Sequence, residues 1–109
     1  SDLFPVYLQD LDPVIQTLEV YRRSIDQGKA LPEGARSQVI GHSFFYTDTY
    51  DYGPRDRYRI VFNTADNDYR TSMVLVHKDL SPRQAVQNLS ELIDYLRNNL
   101  AVLRERKGE

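Results

Sequence analysis

Six of the chain's twelve aromatic residues fall between Phe44 and Tyr58, and three arginines cluster at the C-terminal edge of that window. The stretch reads Phe44-Phe45-Tyr46-Thr47-Asp48-Thr49-Tyr50-Asp51-Tyr52-Gly53-Pro54-Arg55-Asp56-Arg57-Tyr58-Arg59. Tyrosine offers a large contact area for few rotatable bonds, and arginine pairs with carboxylates in a planar fork, so the chemistry here is recognition. Tyr46, Tyr50, Tyr52, Arg55, Arg57 and Arg59 are the candidate partner-binding residues. Arg70 joins them because Arg57 and Arg59 are in phase along one strand and Arg70 belongs to the next. The interleaved Asp48, Asp51 and Asp56 make the window mixed in sign, which suits a protein partner better than a phosphate backbone.

Catalytic chemistry finds less support. Asp48, Asp51 and Asp56 share one predicted hairpin tip, where carboxylates stay solvated, and general acid–base work needs the burial that raises a pKa. There is no G-x-S-x-G elbow and no H-E-x-x-H helix. Gly28, Gly34, Gly41, Gly53 and Gly108 are scattered, so no glycine-rich loop cradles a phosphate. Cysteine is absent, which removes thiolate metal sites, disulfides and cysteine nucleophiles. His42 and His77 are the only histidines, and both fall in strand-like segments. Asp66-Asn67-Asp68 places oxygen ligands as a calcium loop would, but Arg70 and Thr71 stand in the turn-glycine region. His77 then occupies the position of the bidentate glutamate, so the triplet reads as a turn. The expectation is a non-catalytic chain with no metal and no cofactor.

At 109 residues, with 40% hydrophobic and 28% charged side chains, the chain suits a single domain, 1–109, around one core. No run of eighteen apolar residues spans a membrane, and the first residues lack the basic-then-apolar order of a signal peptide. With cysteine absent, a reducing, cytoplasmic location is expected. The net charge of -2 is unevenly spread: residues 1–53 hold eight acids and four bases, residues 54–109 eight acids and ten bases. Neither half is basic enough for a duplex-binding domain. Nucleic acid is therefore the alternative partner, a single strand stacked on tyrosines and neutralised by Arg57, Arg59 and Arg70.

The elements that must position these residues follow from spacing. Residues 1–10 read as an N-terminal arm, since Pro5 blocks a helix interior. Asp12-Pro13 starts a helix over 12–27, with Val14, Ile15, Leu18, Tyr21 and Ile25 on one face and Gly28 as its stop. Strands are expected at 37–47, 57–64 and 69–77, joined by short links that favour an antiparallel meander, with Asp48–Asp56 as a long hairpin tip. Ser81-Pro82-Arg83-Gln84 is a capping box opening a helix over 81–106. Such a helix is about 37 Å long against about 27 Å for an eight-residue strand. Leu100 and Leu103 then lie near or beyond the sheet's edge, covered by the arm or by a second copy. The fold class is α+β: a helix, a three-stranded antiparallel meander and a long C-terminal helix, with both helices on one face of the sheet. Val61, Val74 and Val76 are opposite in phase to Ile60, Met73 and Leu75, so both faces carry apolar groups, and a homodimer or the arm would cover the second. The sequence thus reads as a small interaction or adaptor domain, a homodimer that binds a protein partner through its hairpin tip and adjoining sheet edge.

Overall fold

The computed structural model describes residues 6–29, 31, 37–51, 56–65, 70–77 and 79–106, with the backbone alone at 48–51, 56–58, 64–65, 70–71 and 99–106. A single 3-10 turn, Leu8–Asp10, leads into helix α1, Leu11–Asp26. The helix starts one residue before Asp12, and Pro13 is its third residue, a position whose N–H would have no intrahelical partner in any case. Val14, Ile15, Leu18, Tyr21 and Ile25 are all buried along one side. At its end Gly28 takes φ 64°. The Lys29 N–H then donates to the Ser24 carbonyl at 2.9 Å and the Gly28 N–H to the Ile25 carbonyl at 3.1 Å. These two bonds form a Schellman stop, which glycine enters without a Cβ penalty.

Four strands follow where three are expected: β1 Ser37–Ile40, β2 Ser43–Asp51, β3 Asp56–Ala65 and β4 Arg70–Val76. They form one sheet in the order β1-β2-β3-β4, with every neighbouring pair antiparallel. The expected 37–47 strand divides at Gly41-His42, the two residues between the closing pair Ile40 and Ser43. Gly41 has φ 56° and His42 does not, the glycine-first pattern of a type II′ hairpin turn. Asp10 locks this turn to the start of α1. Its buried carboxylate accepts the His42 backbone N–H at 3.0 Å. A Cβ on Gly41 would lie 2.0 Å from Asp10 Oδ1, so only glycine lets the carboxylate approach. The His42 ring, placed by expectation in a strand, instead sits in this turn with its centroid 4.2 Å from that of Tyr7.

Two further corrections concern register. The expected long tip Asp48–Asp56 is mostly strand, because β2 and β3 stay paired as far as Asp51 and Asp56. In β4, Val74 pairs with Val61 but Val76 pairs with Ile60, so Leu75 is an extra residue at an irregularity in the ladder. A one-residue slip moves a side chain to the other face. Val76, expected in phase with Val61 and Val74, is therefore in the core at 2% exposure.

The last element is α2, Pro82–Arg106. Its capping box forms as the spacing implies: the Gln84 N–H donates to Ser81 Oγ at 3.2 Å, and the Ser81 N–H donates to Gln84 Oε1 at 3.0 Å. Ala85, Leu89, Ile93 and Leu96 join residues of α1, β2, β3 and β4 in one core. At its centre the Phe45 ring meets Tyr21 edge-on at 5.6 Å and Phe62 at 5.1 Å. Arg22 donates to Ser90 Oγ at 3.3 Å and Arg97 pairs with Glu19, so the helices run antiparallel. Leu11 lies eight residues before Glu19 and Arg106 nine after Arg97. At about 1.5 Å per residue, α2 therefore ends roughly level with the start of α1.

Two stability measurements check this frame. Gly28→Ala meets no atom within 4 Å and pays only for its positive φ, about 1 kcal/mol. Gly41→Ala adds displacement of the Asp10 carboxylate, so its urea midpoint should fall by the equivalent of roughly 3 kcal/mol. Equal losses at the two glycines would contradict the Asp10 lock. Burial also pushes the Tyr21 hydroxyl above its ordinary value of 10.0. A folded-state pKa above the unfolded one gives stability that is complete below about pH 10 and is lost as pH rises further. The difference in unfolding free energy between wild type and Tyr21→Phe should be flat below that pH and change by up to ~1.4 kcal/mol per pH unit above it.

Candidate functional site: the open sheet face and its ribbon

The ladder assigns each strand residue to one of two faces. Ser43, Phe45 and Thr47 share a phase with Ile60, Phe62 and Val76, and all six are buried. This is the face on which α1 and α2 close the core. The opposite phase forms two rows that cross all four strands. One runs Ser37, Tyr46, Val61, Val74, and the next runs Val39, Phe44, Asn63, Ser72. Val39 is 75% exposed, Val74 42% and Tyr46 41%, while Phe44 is half-buried. Val61 is buried at 9% yet stands outside the core, flanked by its register partners Tyr46 and Val74. An apolar row of this kind is surface that folding leaves unused among the described residues.

Beyond these rows the sheet narrows. β1 pairs with β2 only from Ser43 to Tyr46, and β4 pairs with β3 only from Ile60 to Ala65. The pairs Asp48–Arg59, Thr49–Tyr58, Tyr50–Arg57 and Asp51–Asp56 therefore have no neighbouring strand in the ladder. Four residues at about 3.3 Å each make a two-stranded ribbon some 13 Å long. Among the described residues, no third strand pairs with either backbone edge of this ribbon. The tyrosine- and arginine-rich window is thus the part of the hairpin that reaches past its own sheet.

The candidate residues divide accordingly. Tyr46 lies on the open face in the first row. Tyr50, Arg57 and Arg59 share its phase along the ribbon, and Asp48 is opposite Arg59. Arg59 is half-buried, and its Nε is shielded from solvent. Tyr52 and Arg55 lie outside the described residues. Arg70 is in phase with Arg57 and Arg59, but it pairs with Ala65 at the far end of β3. Eight residues separate that end from Arg57, roughly 26 Å along the strand. The three arginines share a face without forming one cluster.

The register also sorts the window's acids. Asp48 falls on the open face, while Asp51 and Asp56 take the opposite phase. Among the described residues, the ladder thus puts backbone positions 57, 59 and 70 in one phase with position 48. Val39, Phe44, Val61 and Val74 belong to this surface too, and the composition of the window did not point to them. Their signal in the sequence is the apolar character of both strand phases. Among the described residues, no three His, Cys, Asp or Glu side chains gather as metal ligands, and no helix is long and apolar enough to cross a membrane. No family model, no curated protein and no solved structure matches the chain.

The face assignment has a direct mutational consequence. Val76→Ala leaves a hole in the core and should cost about 2 kcal/mol. Val74→Ala removes methyls that are already exposed and should cost less than about 0.5 kcal/mol. The same loss from both, read by urea unfolding, would mean that the irregularity at Leu75 does not reverse the faces.

Proposed function

We propose that this chain is a non-catalytic interaction domain that docks a protein partner on the open sheet face and along the β2–β3 ribbon. The observation carrying this reading is the row Tyr46, Val61, Val74 with its neighbours Val39 and Phe44, apolar or aromatic and turned away from the core. Among the described residues, Val39, Tyr46 and Val74 stay exposed in the folded chain, and burying large apolar and tyrosine surface is the commonest way a small domain gains binding energy. The ribbon adds backbone edges that an extended segment can pair with, and it adds Tyr50 and Arg57 at opposed positions.

A second reading has its own support. Phe44, Tyr46 and Tyr50 share the open phase with Arg57, Arg59 and Arg70, an arrangement that can stack and neutralise a nucleic-acid single strand. The homodimer that both apolar faces suggest would use this same surface, with two copies meeting face to face.

Affinity capture with the full chain, with and without nuclease, separates the readings. The docking face accounts for a specific retained protein if Tyr46→Ser with Val74→Ser removes it and leaves the thermal midpoint within a few degrees. Retention that survives the double substitution would overturn the assignment, and retention lost on nuclease treatment would transfer it to nucleic acid.

A further inference from the structure

We infer that two copies of the chain join edge to edge along β4, which extends each four-stranded sheet into one continuous antiparallel sheet. The two edges of the sheet are unlike. β1 is only four residues long, and a very short edge strand is itself a protection against stray pairing. β4 has seven residues, Arg70–Val76, and β3 is its one strand partner among the described residues. From Thr71 to Val76 it holds no charge, no proline and no glycine, and Thr71, Val74 and Val76 are β-branched. A free edge is a template for another strand, and sheets usually blunt it with charge, proline or a bulge. Here the ladder irregularity at Leu75 guards one end. The stretch before it, Arg70–Val74, pairs regularly with β3, is about 17 Å long and carries its one charged residue at its first position.

Symmetry and charge select a second copy as the occupant. Identical antiparallel strands meet around a two-fold axis. An axis between residues would set open-face positions against core-phase ones, so the axis falls on a residue. Centring it on Ser72 pairs the whole regular stretch in phase: Ser72 with Ser72, position 71 with 73, and position 70 with 74. No two charged positions then stand directly opposite, the arrangement that destabilises a strand pair. Contact through the same edge on both copies closes at two, whereas β4 against β1 would repeat without end. Ser72 and Val74 are exposed and Met73 is half-buried, so pairing asks for no rearrangement of the core. The docking face of each copy stays uncovered, and the dimer stands or falls apart from the reading above. A contact this short belongs at the weak end of specific interfaces, with a dissociation constant on the order of 10–100 μM.

Sedimentation equilibrium of the full chain should show the mass rising from one chain toward two as concentration increases. Ser72→Lys sets two like charges opposite each other at the axis and should weaken the dimer at least about tenfold. Ser72→Thr, neutral and β-favouring, should leave it intact. The absence of cysteine allows a second measurement that needs no charged variant. Ser72→Cys treated with a short thiol-to-thiol cross-linker should give a covalent dimer in high yield. Val39→Cys, 75% exposed at the opposite edge of the open face, should give little. A one-chain mass up to about 1 mM would overturn the proposal. So would a Ser72→Lys dimer as tight as wild type. Cross-linking at Val39→Cys equal to that at Ser72→Cys would replace the edge with a face-to-face dimer.

Discussion

The pairing of Phe45 with Phe62 across β2 and β3 decides the layout of the whole molecule. Their rings meet at 5.1 Å and Tyr21 of α1 closes on Phe45 edge-on, so the three rings fix which phase of the sheet the helices cover. Because side chains alternate strictly along a strand, this choice determines every other position in the two central strands. A slip of one residue would turn Tyr46, Arg59 and Val61 toward the helices and Phe45, Ile60 and Phe62 away from them. The open face is thus a consequence of the aromatic core, and its composition is what remains once that core has taken its share. Asp10 contributes a second constraint at the edge, holding the β1–β2 turn against the start of α1 through the His42 N–H.

Some of this architecture is legible in the residues alone. The capping box at Ser81 and Gln84, the stop at Gly28 and the apolar face of α1 are local signals, each made within a few residues, and each appears in the fold as its spacing implies. The division of 37–47 into two strands is less visible. A two-residue turn needs only one glycine, and Gly41 stands inside a run of β-favouring residues that reads as continuous. Asp10, whose carboxylate crowds that glycine, is thirty-one positions away in sequence. The extra residue in β4 is hidden for a different reason. Met73, Val74, Leu75 and Val76 are all apolar, so alternation gives no phase, and only pairing with Ile60 and Val61 reveals which residue is skipped.

The candidate site divides in the same way. The residue types of the window are plain in the sequence, but their arrangement depends on the ladder. Three interleaved aspartates make the window look neutral along the chain. On the sheet, positions 51 and 56 take the opposite strand phase from positions 57 and 59. Conversely, Arg70 looks like a neighbour of Arg57 and Arg59 until pairing with Ala65 places it at the other end of β3.

The docking function proposed for this chain depends on the Val39–Tyr46–Val74 face being open to solvent in the free molecule. A soluble paramagnetic probe added to a methyl-labelled sample reads this directly, because relaxation enhancement reports how closely solvent approaches each methyl group. Strong enhancement at Val39 and Val74, with Val14, Ile60 and Val76 protected, is the expected result. Protection of Val39 and Val74 equal to that of Val76 would show the face already covered, and would contradict its role as a docking surface.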